Sequence, residues 1–162
     1  MSSSPLIDSF GRIHKNLRIS VTDRCNIRCF YCMPEVVKFL PRKDVLTFEE
    51  IVRLARVFAS VGIERIRLTG GEPLARRGLC DLVGMLKEVD GIKEIAATTN
   101  GLLLADQAAG LREAGLDRLN VSLDTLDADK FQQITRRNGL DEVIAGIEAA
   151  QEVGFDLSLI HI

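Results

Sequence analysis

Short strand patterns alternate with helix patterns along this chain, and that alternation restricts its fold more than any other feature. The strand patterns lie near residues 17–22, 65–69, 93–99 and 117–123, with a last one that runs to 162. The helix patterns begin after a T-x-x-E capping box at Thr47 and Glu50 and recur near 79–89, 104–114, 128–135 and 140–153. A strand followed by a helix, repeated about four times, predicts a parallel sheet with right-handed crossovers and therefore an α/β fold.

Each of the first four strand patterns is apolar on one face and polar on the other. In 65–69, Ile66 and Leu68 alternate with Arg65, Arg67 and Thr69. Parallel strands covered by helices on both faces are normally apolar on both. A barrel, or part of one, with helices outside and a polar inner face that lines a ligand cavity fits this pattern. A sheet with helices on one side and bulk solvent on the other is the alternative.

Three of the four cysteines, Cys25, Cys29 and Cys32, form a C-x3-C-x2-C cluster after the first strand. The N-terminal residues contain no secretory signal, so the cysteines indicate a metal or reactive site and not a disulfide framework. Three thiolates can bind three irons of an iron–sulfur cubane and leave the fourth iron open. A zinc site completed by Cys80 is the alternative. Cys80 has no partner cysteine near it, and its helix pattern predicts a buried apolar residue.

A glycine-rich motif, Gly70-Gly71-Glu72-Pro73, directly follows the second strand. Glycines at that point would let the backbone approach a ligand closely, although a plain strand-to-helix turn is the more common meaning of such a glycine pair when it is taken alone. Arg76 and Arg77 come next and are expected to face solvent or the mouth of the site. Asn100-Gly101 indicates a turn after the third strand, and no chemical role is expected for it.

The cysteine spacing, with Tyr31 directly before the last cysteine, resembles the signature of radical S-adenosylmethionine (SAM) enzymes. Longer segments resemble the MoaA family, which are GTP 3′,8-cyclases of molybdenum cofactor biosynthesis: LRISVTDRCNIRCFYCMP, LTFEEIVRLARVFASVGIERIRLTGGEPLARR, TTNG and AGLDRLNVSLDTLDADKFQQITRR. The likeness runs from about residue 10 to about residue 154. It implies a partial (β/α) barrel of the radical SAM type, truncated and not closed.

The resemblance also implies two cofactors. The three cysteines would hold a [4Fe–4S] cluster, and SAM would chelate its open iron. One electron from the cluster would then cleave SAM to a 5′-deoxyadenosyl radical. The implied SAM contacts are Tyr31, Gly71 and Ser122. No catalytic side chain is implied beyond the cluster and SAM.

GTP is the implied substrate, with contacts at Arg18, Arg67 and Thr98. The residues themselves favour the two arginines, because guanidinium groups on neighbouring polar strand faces can pair with phosphate oxygens. Solvated surface arginines are the alternative. In the implied lyase reaction a radical takes hydrogen from C3′ of GTP, and the carbon radical attacks C8. The product is (8S)-3′,8-cyclo-7,8-dihydroguanosine 5′-triphosphate.

Two other functions stay open at this point: a peptide-modifying radical SAM enzyme, and a non-enzymatic zinc-binding module. The implied enzyme needs an electron donor as a partner, and a homodimer is expected for the full-length protein. The net charge of −2 and pI near 5.7 predict no nucleic-acid partner, and no apolar run reaches membrane-spanning length. A cytoplasmic location is expected.

Members of the family continue well beyond this length and carry a second cysteine-bound cluster, whereas this chain has no cysteine after Cys80. Residues 17–156 are therefore predicted to be a radical SAM partial barrel domain without its C-terminal part, preceded by a lead-in at 1–16. Residues 157–162, LSLIHI, equal a translation of a common transposase sequencing-adapter end and are predicted to be a non-native scar. The fragment is expected to turn over GTP poorly.

Overall fold

Five parallel strands lie side by side in chain order in the computed structural model, which describes residues 5–160. The strands are β1 (Asn16–Ser20), β2 (Arg65–Thr69), β3 (Glu94–Thr99), β4 (Arg118–Ser122) and β5 (Asp156–Ile160). Within the described range, β1 and β5 form the two edges, so the sheet is open and does not close on itself. This architecture confirms the predicted partial (β/α) barrel with parallel strands.

Helices connect the strands. They are α1 (Phe48–Ser60), α2 (Leu79–Lys87), α3 (Leu104–Glu113), α4 (Ala128–Thr135) and α5 (Leu140–Glu152). Thr47 caps α1 as predicted: its hydroxyl accepts the Glu50 backbone N–H at 3.2 Å, and its own N–H donates to the Glu50 carboxylate at 2.8 Å. Over residues 5–160, no helix is long and apolar enough to cross a membrane.

The hydrophobic core lies on the apolar face of the sheet. Ile66 and Leu68 of β2, Ile95 of β3, and Leu119 and Val121 of β4 are almost completely buried. They form one cluster with buried side chains from all of the helices α1 to α5. Because the core occupies this side, the polar face of the strands stays available for a site.

The strand register arranges the polar face in levels. Arg18 of β1 lies opposite Arg67 of β2, and Arg118 of β4 lies at the same level across Ala96 of β3. Two residues further along each strand, or about 6.6 Å closer to the carboxyl ends than the arginines, a second row of side chains carries hydroxyl groups. It consists of Ser20, Thr69 and Thr98.

Both ends of the described chain form short regular contacts. Ile7 and Ile13, in the predicted lead-in, form an isolated antiparallel bridge. β5 extends across the predicted boundary at residue 156 and pairs with β4 over its whole length. Residues 1–4 and 161–162 lie outside the described residues, and the non-native origin of residues 157–162 stays a prediction.

Gly146 lets α5 pack closely on the start of α3. A Cβ at this position would lie 2.7 Å from the carbonyl oxygen of Gly101 and 3.0 Å from the Cβ of Leu104. Neither of these atoms can swing aside, since both are fixed by the backbone. Gly84 in α2 is the opposite case, because a Cβ there would meet nothing within 4 Å.

We expect Gly146→Ala to lower the free energy of unfolding by about 1–3 kcal/mol, because overpacking pushes α5 away from α3. Gly84→Ala is the matched control and should be neutral or stabilising by up to about 1 kcal/mol, since alanine favours a helix. Urea unfolding followed by circular dichroism measures both variants. Equal unfolding midpoints for the two variants would contradict the close packing.

Candidate functional site

A cavity of about 500 Å³ opens at the carboxyl ends of β1 to β4. Loops of parallel α/β folds meet at this end of the sheet, which is where such folds bind ligands. The loop between β1 and the 3₁₀ turn at 42–44, here called the cysteine loop, forms one wall. All of the predicted site residues except the two arginines line the cavity: Cys25, Cys29, Cys32, Tyr31, Gly71, Ser122 and Thr98.

The three cysteines of the loop are free thiols that differ in exposure. Cys29 is buried, Cys25 is half-buried and Cys32 is exposed. Burial raises the pKa of the Cys25 and Cys29 thiols. The backbone N–H groups of Cys32 and Met33 both donate to the Cys29 carbonyl at 3.0 Å, so the loop turns tightly between its second and third cysteines.

Backbone hydrogen bonds to the end of α4 hold the cysteine loop in place. The N–H groups of Arg28 and Phe30 donate to the carbonyls of Thr135 and Ile134 at 2.9 and 3.0 Å. The Arg28 guanidinium also donates to the Cys25 carbonyl at 2.7 Å. These contacts fix the loop from the side of α4.

The two glycines after β2 bring that turn against the start of the cysteine loop. Gly71 N–H donates to the Thr22 carbonyl at 2.7 Å, and Glu72 N–H donates to the Arg24 carbonyl at 2.8 Å. A Cβ on Gly70, where φ is +152°, would overlap the Thr22 carbonyl oxygen, and a Cβ on Gly71 would overlap that of Arg24. The close approach that these glycines permit is therefore to the protein's own backbone, while Gly71 also lines the cavity.

Glu72 is a buried residue of the site to which the sequence patterns gave no role. Its side chain is 1% exposed. One carboxylate oxygen accepts the Leu74 N–H at 2.9 Å and the Thr99 hydroxyl at 2.7 Å, and the other accepts the Asn100 N–H at 2.7 Å. Burial raises the pKa of Glu72, and these three hydrogen bonds oppose that shift. The carboxylate joins the end of β2 to the end of β3, and its place in the glycine-rich motif was the available signal.

Asn100, for which no chemical role was expected, also lines the cavity. Its side-chain Nδ2 donates to Asn26 Oδ1 at 2.7 Å and lies 3.8 Å from Cys25 Sγ. The turn residue therefore touches the predicted metal-binding loop.

Arg76 was expected to face solvent or the mouth of the site, but it is half-buried and holds backbone groups together. Its guanidinium donates to the carbonyls of Val21 and Leu46 and lies 4.3 Å from the centre of the Phe48 ring. Arg77 is exposed, as predicted.

Tyr31 closes the cysteine loop against the end of β4. Its hydroxyl donates to Asp124 Oδ2 at 2.7 Å, and its ring packs edge-on against Phe30 with 5.6 Å between the ring centres. Burial, followed by this hydrogen bond, raises the pKa of Tyr31. Asp124 lines the cavity and was not among the predicted site residues.

Three buried oxygens in the cavity wall have no hydrogen-bond partner among residues 5–160. They are Asp23 Oδ1, Thr98 Oγ1 and Asp124 Oδ1. Buried polar atoms are nearly always paired in folded proteins, because an unpaired one costs free energy. These oxygens therefore indicate a polar ligand that supplies donors from within the cavity.

Arg18 and Arg67 lie apart from the other predicted site residues. They line a second cavity of about 490 Å³, further toward the amino ends of β1 to β3 on the same face. Arg65 in this cavity lies 3.9 Å from the Glu94 carboxylate, whereas in the described part of the chain no carboxylate pairs with Arg18 or Arg67. Thr98 belongs to the first cavity, one level above them.

The donor set suits an iron–sulfur cluster. Three free thiols share one cavity, and in a cubane each thiolate binds a separate iron. The sulfurs do not need to converge on a single point, and in the range 5–160 no three histidine, cysteine or acidic side chains do so. Cys80 is half-buried in α2, packs against the core and does not line the cavity. It is therefore not placed to complete a zinc site.

A family model described as the radical SAM superfamily matches residues 19–162. The GTP 3′,8-cyclase of Rhodopirellula baltica is 61% identical over 153 residues, which cover 93% of this chain and 43% of that protein. Molybdenum cofactor biosynthesis protein 1 of Drosophila melanogaster is 53% identical over 94% of this chain and 27% of its own length. The chain thus spans less than half the length of these relatives.

Solved structures share the fold at low sequence identity. The crystal structure of Streptococcus suis SuiB bound to S-adenosylmethionine matches with a TM-score of 0.75 and 20% identity, over 90% of this chain and 33% of that one. Methylornithine synthase matches with a TM-score of 0.68 and 22% identity, over 89% of this chain and 43% of its own. At this identity the two structures support the architecture alone.

If the three loop cysteines hold an iron–sulfur cluster, replacement of any one of them by serine should abolish cluster assembly, because each thiolate would bind its own iron. After anaerobic reconstitution with iron and sulfide, we expect about four irons per chain in the unmodified protein and fewer than about one in Cys29→Ser. Cys80→Ser is the matched control and should load fully. Iron and zinc analysis together with the visible spectrum measure this, and loss of metal in Cys80→Ser would support the zinc alternative instead.

Proposed function

Because this chain belongs to the radical SAM superfamily, we propose that it is the radical-generating part of a GTP 3′,8-cyclase. The observation that carries the proposal is the convergence of the cysteine loop, the turn after β2 and the polar strand face on one cavity. Bacterial relatives named GTP 3′,8-cyclase are 51% to 61% identical over more than nine-tenths of the chain, which supports this activity over others in the superfamily. The proposed role lies in molybdenum cofactor biosynthesis.

SAM and a [4Fe–4S] cluster are the cofactors of the superfamily, and the prediction of both for this chain is confirmed at that level. We assign the cluster to Cys25, Cys29 and Cys32. When bound, the cluster supplies the electron that cleaves SAM and releases a 5′-deoxyadenosyl radical. The three thiols differ in their exposure to solvent. Cys29 is buried in the wall of the cavity, and Cys32 is exposed at its rim.

SAM is assigned to Tyr31, Gly71 and Ser122, which line the cavity from the cysteine loop, the turn after β2 and the end of β4. The Tyr31 hydroxyl is already bonded to Asp124, so its ring and backbone remain for the contact with SAM. The unpaired oxygens of Asp23 and Asp124 offer acceptors for amino and hydroxyl groups, both of which SAM carries.

GTP is assigned to Thr98, Arg18 and Arg67. The two arginines lie directly opposite each other on neighbouring strands. Like charges in that position repel, and an anion between them removes the repulsion. A GTP extended along the polar face would place its triphosphate over these arginines and its ribose near Thr98. The C3′ atom of GTP would then face the cavity at the carboxyl ends of β1 to β4, to which SAM is assigned. Hydrogen removal from C3′ by a radical formed there requires this arrangement.

The proposed reaction converts GTP to (8S)-3′,8-cyclo-7,8-dihydroguanosine 5′-triphosphate. C3′ loses a hydrogen atom to the 5′-deoxyadenosyl radical, and the carbon radical forms a bond to C8 as the C8–N7 double bond opens. The resulting radical on the base would take one electron from the expected electron donor and one proton, which completes the 7,8-dihydro product. The polar face contributes by orienting GTP, since no side chain of the chain is assigned an acid or base role. The superfamily match and the position of Cys80 disfavour the zinc-binding module. The peptide-modifying alternative gains no support, because the solved structures with peptides are 20% identical or less and indicate the fold alone.

The remaining expectations stay predictions. These are an electron donor, a homodimer of the longer protein, a cytoplasmic location and the lack of a nucleic-acid partner. Since the chain spans less than half of the bacterial relatives, we also expect poor turnover of GTP by the chain alone.

Removal of either arginine should weaken GTP binding about 10- to 100-fold, which is the loss of one charge-assisted hydrogen-bonding group of about 1.5–3 kcal/mol. Equilibrium dialysis of labelled GTP with Arg18→Ala and Arg67→Ala measures this. Arg53→Ala, on the exposed surface of α1, is the control for the loss of one positive charge. The substrate assignment fails if both variants bind GTP as tightly as Arg53→Ala does.

A further inference from the structure

We infer that Asn100 is a positioning residue for the cluster: its side-chain amide hydrogen-bonds the Cys25 sulfur and fixes the start of the cysteine loop. Within residues 5–160, none of the residues assigned above donates a hydrogen bond to a cluster thiol from the end of β3. The inference rests on the assignment of the cluster to the three cysteines, and it holds whichever substrate the protein takes.

The Asn100 amide nitrogen lies within hydrogen-bonding distance of two acceptors in the cysteine loop. Nδ2 donates to Asn26 Oδ1 at 2.7 Å, and its second acceptor, Cys25 Sγ, lies 3.8 Å away. Asn26 directly follows Cys25, so the two contacts hold neighbouring side chains of the loop. A single planar amide therefore defines where the first ligand sulfur lies relative to β3.

The orientation of this amide is settled by its other end. Asn100 Oδ1 accepts the backbone N–H of Leu102 at 3.1 Å, and a backbone N–H can only donate. The amide nitrogen must consequently face Asn26 and Cys25. The Asn100 backbone N–H donates to the buried carboxylate of Glu72 at 2.7 Å, which fixes the main chain beneath the side chain.

An N–H group directed at a ligating sulfur changes the electronic properties of an iron–sulfur cluster. Hydrogen bonds to the sulfurs stabilise the reduced, more negative state and so raise the reduction potential. Cys25 is half-buried, where this interaction is screened less by water than at the surface. Asn100 is thus expected to make the cluster easier to reduce.

Asn100→Asp tests this role with the least change in shape. The variant keeps an oxygen for the Leu102 N–H and keeps the backbone bond to Glu72, but it replaces the donor near Cys25 with a carboxylate oxygen. We expect the reconstituted cluster to have a more negative midpoint potential in Asn100→Asp than in the unmodified chain. Potentiometric titration followed by electron paramagnetic resonance measures it.

Two further variants separate the outcomes. Asn138→Asp makes the same charge change at an exposed position and should leave the potential unchanged. Asn100→Ala removes the donor without adding charge, should also lower the potential, and supplies the comparison if circular dichroism shows that Asn100→Asp does not fold. Unchanged potentials in fully loaded Asn100 variants would overturn the inference alone. Failure of the unmodified chain to bind iron would instead overturn the cluster assignment and, with it, the proposed function.

Discussion

Two backbone hydrogen bonds between the cysteine loop and the turn after β2 are the contacts on which the rest of the site depends. They join Thr22 to Gly71 and Arg24 to Glu72, and they form only because neither glycine carries a Cβ that would overlap a carbonyl oxygen. The cysteine loop is thereby held at the carboxyl end of β2. Its thiols and the residues assigned to SAM consequently share one cavity.

The turn after β2 also fixes the end of β3, through hydrogen bonds to Glu72. Glu72 is buried and has no cation partner among residues 5–160, so its carboxylate is stabilised by the three donors around it, two of which belong to Thr99 and Asn100. Asn100 then reaches back to the cysteine loop through its side-chain amide. The cysteine loop is therefore hydrogen-bonded both to the turn after β2 and to the end of β3, and these two are hydrogen-bonded to each other. These contacts explain how a loop without regular secondary structure can present three thiols to one cavity.

Local patterns in the sequence predicted the elements well, since the bounds of β2 and α4 match the structure to the residue. The cysteines could be singled out because they lie in a short motif with its own spacing, and the family resemblance of that motif and of the glycine-rich motif implied Tyr31 and Gly71. Asn100 and Asp124 were not, because their partners lie 75 and 93 residues away in the chain and no periodicity records such contacts. The contacts of the half-buried Arg76 were missed for the same reason: charge alone predicts exposure, while its acceptor Val21 is 55 residues away.

We propose that a radical formed in the cavity at the carboxyl ends of β1 to β4 takes hydrogen from C3′ of a GTP held on the polar face of the sheet. The most direct measurement uses the anaerobically reconstituted chain with SAM, a reductant and GTP that carries deuterium at C3′, followed by mass spectrometry of the 5′-deoxyadenosine released. We predict that deuterium appears in 5′-deoxyadenosine, even where little cyclised GTP accumulates. Release of 5′-deoxyadenosine without deuterium would show that the radical does not take hydrogen from C3′ of GTP.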